Sequence, residues 1–238
     1  MLLLGVCARV KLIVVLPDIE HLAISTNDLR LHVVAAGPEQ GPLVILLHGF
    51  PEFWYGWRHQ IGPLAAAGYR VWAPDQRGYN TSDKPRGRAA YRLDALAEDV
   101  VGLIDAAGRP KAVVVGHDWG GAVAWHLGSR FADRIDRLVV LNVPHPQVFM
   151  ALLRRSPRQL LRSSYMFAFQ CPWLPEWAAR RQHWRAMADG LRQSSRRGTF
   201  SDAEIDKYRE AWSQPGAFSA MVNWYRANFW SRHSATGT

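Results

Sequence analysis

One short segment concentrates the chemistry of this 238-residue chain. Gly116-His117-Asp118-Trp119-Gly120-Gly121 follows the apolar run Val113-Val114-Val115 and precedes a helical pattern. A buried strand that runs into Gly-X-Asp-X-Gly and then into a helix is the layout of a tight turn that lifts one side chain above a sheet. The flanking glycines suit a turn in which strand and helix come too close for side chains. The helix N-terminus behind the turn favours an anion. A carboxylate there is already ionised near neutral pH. It can displace a leaving group at saturated carbon and form an ester with the protein. A hydroxyl in its place would need a base and would suit acyl transfer. The plainer alternative is that Asp118 only caps its helix, a position Asp favours anyway.

Elements on both sides must hold that turn in place. Residues 19–25 and 29–35 have the pattern of short strands around a turn at Asn27-Asp28. Residues 43–48 form a continuous apolar run, expected of a strand buried on both faces. A helix over 55–67 and a strand over 69–74 follow. Leu96, Val100, Leu103 and Ile104 give residues 94–107 helical spacing. A strand over 112–115, a helix over 122–131 and a strand over 138–142 complete the alternation. This order predicts an α/β fold with a mostly parallel sheet and helices on both faces. After Pro144 the character changes. Residues 149–229 are rich in Arg, Trp, Ala and Gln, with no strand pattern, and Pro157, Pro172, Pro175 and Pro215 divide them into several helices. The expected organisation is an N-terminal extension (1–18), an α/β core (19–145), a helical cap (146–230) and a tail (231–238).

Three segments together carry a resemblance. His48-Gly49-Phe50-Pro51-Glu52-Phe53-Trp54-Tyr55-Gly56-Trp57-Arg58 and Pro74-Asp75-Gln76-Arg77-Gly78-Tyr79-Asn80-Thr81-Ser82-Asp83-Lys84-Pro85 precede the Asp118 segment in order. They resemble the HGxP loop, the following strand loop and the nucleophile elbow of epoxide hydrolases in the α/β-hydrolase superfamily. The resemblance implies an α/β-hydrolase fold with a helical cap and Asp118 as nucleophile. It implies that the backbone N–H groups of Phe50 and Trp119 form an oxyanion hole, and that Pro51 is cis. It also implies two cap tyrosines that donate hydrogen bonds to the epoxide oxygen. Tyr165, in Tyr165-Met166-Phe167-Ala168-Phe169-Gln170, resembles the first, and Tyr225, in Asn223-Trp224-Tyr225-Arg226, the second. A strained ether leaves poorly unless its developing alkoxide receives a proton or hydrogen bond, and a phenol can supply one. Tyr91 and Tyr208 are expected to be packing residues. Trp54, Trp119 and Phe167 are expected to line the substrate pocket. Haloalkane dehalogenases also place Trp after an elbow Asp but do not need the tyrosine pair. A dehalogenase-like hydrolase is therefore the alternative activity, and a non-catalytic binding protein the alternative class.

The same resemblance calls for a histidine that activates water and an acid that orients it, on strands after the cap. The chain reaches Thr238 without them. The expectation is a truncated product in which the last strands of the core are missing, Asp118 is alkylated once and regeneration is slow. The strand over 138–142 would then be an unpaired apolar edge that invites aggregation. His117 is expected to turn away from the site and His126 to lie on the helix behind it. His145 is the nearest substitute base but has no acid beside it. Asn142 is not a carboxylate, and His48 is expected to serve a turn.

Composition narrows the rest. Cys7 and Cys171 are the only two cysteines, too few for a disulfide framework or a metal cluster, so no cofactor or metal is expected. The net charge of +9 is concentrated in arginines between Arg154 and Arg197, and no nucleic-acid motif accompanies them. A solvated helical face is the plain reading. The start of the chain is apolar but interrupted by Arg9 and Lys11, too short and charged to span a bilayer. The expected partners are a small apolar epoxide and water, with no nucleic acid, no stable membrane insertion and a possible homodimer. A cytoplasmic location is expected.

Overall fold

The computed structural model describes residues 18–228. The expectations for the N-terminal extension, for Cys7, for the end of the cap at 229–230 and for the tail at 231–238 lie outside the described residues. Six strands form one sheet in the order β1-β2-β4-β3-β5-β6. They are β1 (Glu20–Thr26), β2 (Leu29–Ala36), β3 (Leu43–Leu47), β4 (Arg70–Pro74), β5 (Ala112–His117) and β6 (Ile135–Leu141). β1, β2 and β4 pair antiparallel, while β4-β3-β5-β6 are parallel. The hairpin turns at Asn27 (φ 48°) and Asp28 (φ 58°), two residue types that tolerate the left-handed region.

Alternation along the strands sends side chains to two cores. Val34, Ala36, Val44, Leu46, Val71 and Ala73 pack with Trp57, Ile61 and Ala65 of the segment that includes α1 (Arg58–Ala66). Val33, Ala35, Leu43, Ile45, Leu47 and Val114 pack on the other side with α2 (Leu93–Ala106) and α3 (Trp119–Arg130). Helices therefore cover both faces. The expected helix over 55–67 begins instead as a 3-10 turn, Trp54–Trp57, before α1. β6 starts three residues earlier than expected because Ile135 pairs with Ala112 across a bulge, despite the charged Asp136 and Arg137. Val139 and Leu141 on β6 are exposed. Among the described residues β6 pairs only with β5.

Two polar ties lock the loops that frame the sheet's carboxyl end. Arg77 donates through Nε to Asp99 Oδ2 at 2.6 Å and through a second nitrogen to Oδ1, a buried bidentate pair that fixes the loop after β4 to α2. Burial pushes the Asp99 carboxyl up, and the Arg77 guanidinium opposes that. Asp75 accepts from Trp54 N at 2.9 Å and Asn80 Nδ2 at 2.8 Å. Removing either partner of the Arg77–Asp99 pair would strand a buried charge.

The region expected to form a cap is helical: α4 (Pro146–Arg155), α5 (Pro157–Arg162), α6 (Tyr165–Ala168), α7 (Leu174–Arg180), α8 (Arg185–Gln193), α9 (Asp202–Ser213) and α10 (Ala217–Asn228). The prolines act as helix starters: Pro146 and Pro157 sit in first turns, where a missing N–H costs nothing. Ser201 and Glu204 make a capping box for α9.

Candidate active site

The turn between β5 and α3 holds Asp118 at φ 51°, ψ −120°, a strained positive-φ conformation for a non-glycine residue. The glycines around it have no room to be anything else. A Cβ on Gly116 would lie 2.2 Å from the Gly120 carbonyl oxygen, and one on Gly120 2.2 Å from the Leu47 carbonyl oxygen. A Cβ on Gly49 would meet the Asp118 Cβ at 2.3 Å. Close packing of three backbones thus pushes one side chain outward.

Asp118 occupies the N-cap position of α3, yet its side chain does not cap the helix. Its Oδ1 accepts a 2.8 Å hydrogen bond from Phe50 N–H, and the adjacent Trp119 amide also favours the ionised carboxylate. Burial raises the Asp118 pKa above the ordinary value. The Phe50 and Trp119 amides and the nearby His117 pull the other way, and Glu52 adds to the rise. Phe50 is presented by a cis Phe50–Pro51 bond.

Both cap tyrosines face this carboxylate. Tyr225 on α10 is buried, edge-on to Trp119 at 5.0 Å, Phe50 at 5.3 Å and Tyr165 at 5.8 Å between ring centres. Trp119, edge-on to Tyr225, acts to lower the Tyr225 pKa, and Tyr225 acts to lower that of Tyr165. Burial raises both phenol pKa values, and the Asp118 charge raises them further. Both therefore stay protonated at neutral pH and keep a proton to give.

The aromatic rings around Asp118 differ in part from those expected to line a substrate pocket. Trp119 belongs to the ring cluster. Trp54 does not join it: its neighbours are His21 (5.6 Å), Phe53 (6.0 Å) and Tyr55 (5.4 Å), because the 3-10 turn swings its indole toward β1 and β2. Phe167 is exposed on α6. Phe169, two residues further, is the one that packs on Phe50 (5.4 Å) and Tyr225 (4.9 Å). Helical spacing from Tyr165 to Phe169, four apart, could have found it.

The four histidines near the elbow and its flanking elements each have a partner in the fold. Gln76 N–H donates to His48 Nε2 at 3.1 Å, so His48 carries its proton on Nδ1 and donates to the Gly49 carbonyl at 3.0 Å. Burial lowers its pKa. His126 pairs with Asp94 at 2.8 Å. His145 accepts from Gln147 N and packs edge-on to Trp125 at 5.1 Å. His117 sits between Glu52 Oε2 at 3.4 Å and Asn142 Nδ2 at 3.3 Å. The Glu52 hydrogen bond raises its pKa. The motif reading overlooked Glu52, and no pattern signalled that it would reach across to the elbow. Tyr208 donates to the same carboxylate at 3.5 Å, and Tyr91 donates to the Pro85 carbonyl at 2.8 Å, with burial pushing its pKa to about 12. Tyr79, fully buried against His48 at 4.6 Å, also lies in the field of Asp118. Among the described residues no group of three His, Cys, Asp or Glu could hold a metal ion.

Residues 42–169 match the model of the alpha/beta hydrolase fold family, and they include both the HGxP loop and the elbow. The chain belongs to the α/β-hydrolase fold family. This α/β-hydrolase is 52% identical over 204 residues to the AB hydrolase superfamily protein YfhM of Bacillus subtilis, covering 86% of this chain and 71% of that one. It is 41% identical over 214 residues to human Epoxide hydrolase 4, covering 88% of this chain and 59% of that protein. Among solved structures, an epoxide hydrolase variant from Bacillus megaterium in complex with its product aligns with TM-score 0.79 and 32% identity over 86% of this chain and 71% of that one. Enzymes named epoxide hydrolases are thus its relatives in sequence and in structure. The α/β-hydrolase chain spans about three-fifths of the length of its mouse and human relatives, 59% in each case.

Proposed function

We propose that this chain opens an epoxide by attack of Asp118, with Tyr225 and Tyr165 protonating the oxygen. A carboxylate oxygen of Asp118 bonds to one oxirane carbon. The carbon–oxygen bond breaks, its electron pair stays on oxygen, and the tyrosine pair delivers a proton there. The product of this step is a hydroxyalkyl ester on Asp118. Water attack on that ester returns the carboxylate and releases a vicinal diol; of the water's two protons one ends on the departing diol oxygen and the other restores the phenol, with Phe50 and Trp119 N–H holding the oxyanion. The observation that carries the reading is the Asp118 carboxylate held at 2.8 Å by Phe50 N–H, with two protonated phenols in its field. It favours an epoxide over a haloalkane, because a departing alkoxide needs a proton donor and a halide does not.

Among the described residues no histidine hydrogen-bonds Asp118. We propose accordingly that the 238-residue chain accumulates the ester faster than it hydrolyses it. The substrate is a small apolar epoxide, matched to the Phe50, Phe169 and Trp119 rings. The experiment is incubation with an aryl epoxide followed by intact-mass and peptide mass spectrometry. One substrate mass added on Asp118 supports the reading. Release of halide from a haloalkane, with no adduct from the epoxide, overturns it.

A further inference from the structure

Helix α7 is turned inside out. Its buried positions are the small Pro175 and Ala179, while Trp173, Leu174 and Trp177 are 82%, 52% and 58% exposed. Trp177 N–H donates to the Trp173 carbonyl at 2.9 Å, so the two indoles stand one turn apart on one ridge. Arg181 continues that ridge, its guanidinium 4.7 Å from the Trp177 ring centre. The surrounding chain is strongly basic. Residues 154–197 contain ten arginines and two acids, Glu176 and Asp189. Arg226 holds Glu176 at 2.7 Å, and Arg185 faces Asp189 at 3.6 Å. Arg180 and Arg181, exposed beside the indoles, have no carboxylate partner among the described residues.

Two exposed indoles and a leucine, beside guanidiniums without a carboxylate partner, form an apolar patch that no described residue covers. Their complement is a layer that is apolar below and anionic above. Indoles settle at the headgroup level of a bilayer, and guanidiniums bind phosphates bidentately. We propose that this face of the cap docks peripherally on an anionic phospholipid surface, with Trp173, Leu174 and Trp177 at headgroup depth and the neighbouring arginines on lipid phosphates. No helix among the described residues is long and apolar enough to cross a membrane, so the contact lies in the plane of the surface.

The test is flotation of the 238-residue chain with phosphatidylglycerol-containing vesicles and with pure phosphatidylcholine vesicles; aggregates do not float. Binding to the anionic vesicles is expected to be at least about tenfold tighter and to weaken as salt rises. The double variant Trp173→Ala/Trp177→Ala should lose about tenfold in anionic-vesicle binding while keeping its circular dichroism and its labelling at Asp118. Equal binding to both vesicles, no binding, or an unaffected double variant overturns the proposal. So does a dimer in sedimentation equilibrium that the same variant dissolves, or binding to duplex DNA in place of vesicles.

Discussion

The two ends of the helical region after β6 are attached to the core in different ways. α9 and α10 bury Ile205, Tyr208, Trp212, Phe218, Met221 and Trp224, and they are pinned by polar bonds as well. Trp212 Nε1 donates to the Pro51 carbonyl at 2.6 Å, Trp224 Nε1 to the Arg77 carbonyl at 3.1 Å, and Asn228 Nδ2 to the Tyr91 carbonyl at 2.8 Å. α4, α5 and α6, by contrast, contain no buried residue in the residues they span. Each end supplies one tyrosine to Asp118. Tyr225 comes from the pinned end, and Tyr165 from the open one. A donor held by packing needs no reorganisation when charge develops, whereas a donor on a loosely covered helix does. The two phenols, alike in chemistry, should therefore contribute unequally.

The largest effect should come from the group both tyrosines serve. Asp118→Asn is expected to slow ester formation by at least about a thousandfold, because an amide is not a nucleophile; mass spectrometry after epoxide treatment reads this directly. The same variant should melt higher than the parent at neutral pH. A carboxyl whose folded pKa is raised contributes stability at low pH, and that contribution is lost as pH rises through the folded value. Asn carries no such loss, so the two melting curves should converge in acid. Next is Trp224→Ala, which removes a fully buried indole from the pinned end and its bond to Arg77. It should cost about 3–5 kcal/mol in urea unfolding. Leu161→Ala at the open end, where the side chain is 75% exposed, should change stability by less than about 0.5 kcal/mol. Comparable costs would erase the distinction between the two ends.

That distinction also marks where the sequence could be read. Around Asp118 each residue is fixed by backbone approach, so Gly49, Gly116 and Gly120 leave a motif that survives without coordinates. β6 and α2 were legible to within a few residues because apolar period follows burial. The cap offered weaker signals. Tyr225 and Tyr165 could be marked only by resemblance, since a tyrosine on an amphipathic helix has no local feature that separates catalysis from packing. Trp54 turns toward His21 with the 3-10 turn and Phe169 packs on Phe50 and Tyr225, side-chain directions that residue spacing alone does not encode. Glu52, on the loop after β3, and His117, at the end of β5, meet only through folding, a pairing that no spacing encodes.

Tyr225→Phe should slow ester formation by roughly ten- to a hundredfold, as expected for losing a hydrogen bond to developing charge, about 1.5–3 kcal/mol. Tyr165→Phe should slow it by only about three- to tenfold, because the pinned phenol remains and the open one is costlier to align. Stopped-flow measurement of single-turnover rates checks both. Equal losses would mean that the open end is ordered by substrate and that the contrast belongs to the free protein only.

The smallest effect concerns the charges beside the nucleophile. Ester formation needs ionised Asp118, so its rate should rise with pH through the Asp118 pKa and then level off. His117 lowers that pKa and Glu52 raises it. Removing the histidine in His117→Phe leaves Glu52 unopposed, and the acid limb should move to higher pH. Glu52→Gln acts in the opposite sense. Below the ordinary histidine range His117 keeps its proton even without Glu52, so Asp118 loses a negative neighbour and retains a positive one, and the limb should move to lower pH. Tyr79, Tyr165 and Tyr225, the other titratable groups in the field of Asp118, have raised pKa values and stay neutral throughout. A pH–rate series on the two variants decides the matter by sign alone. Shifts in the same direction would mean that Glu52 acts on Asp118 only through His117. The pair would then work as one unit rather than as two opposed charges.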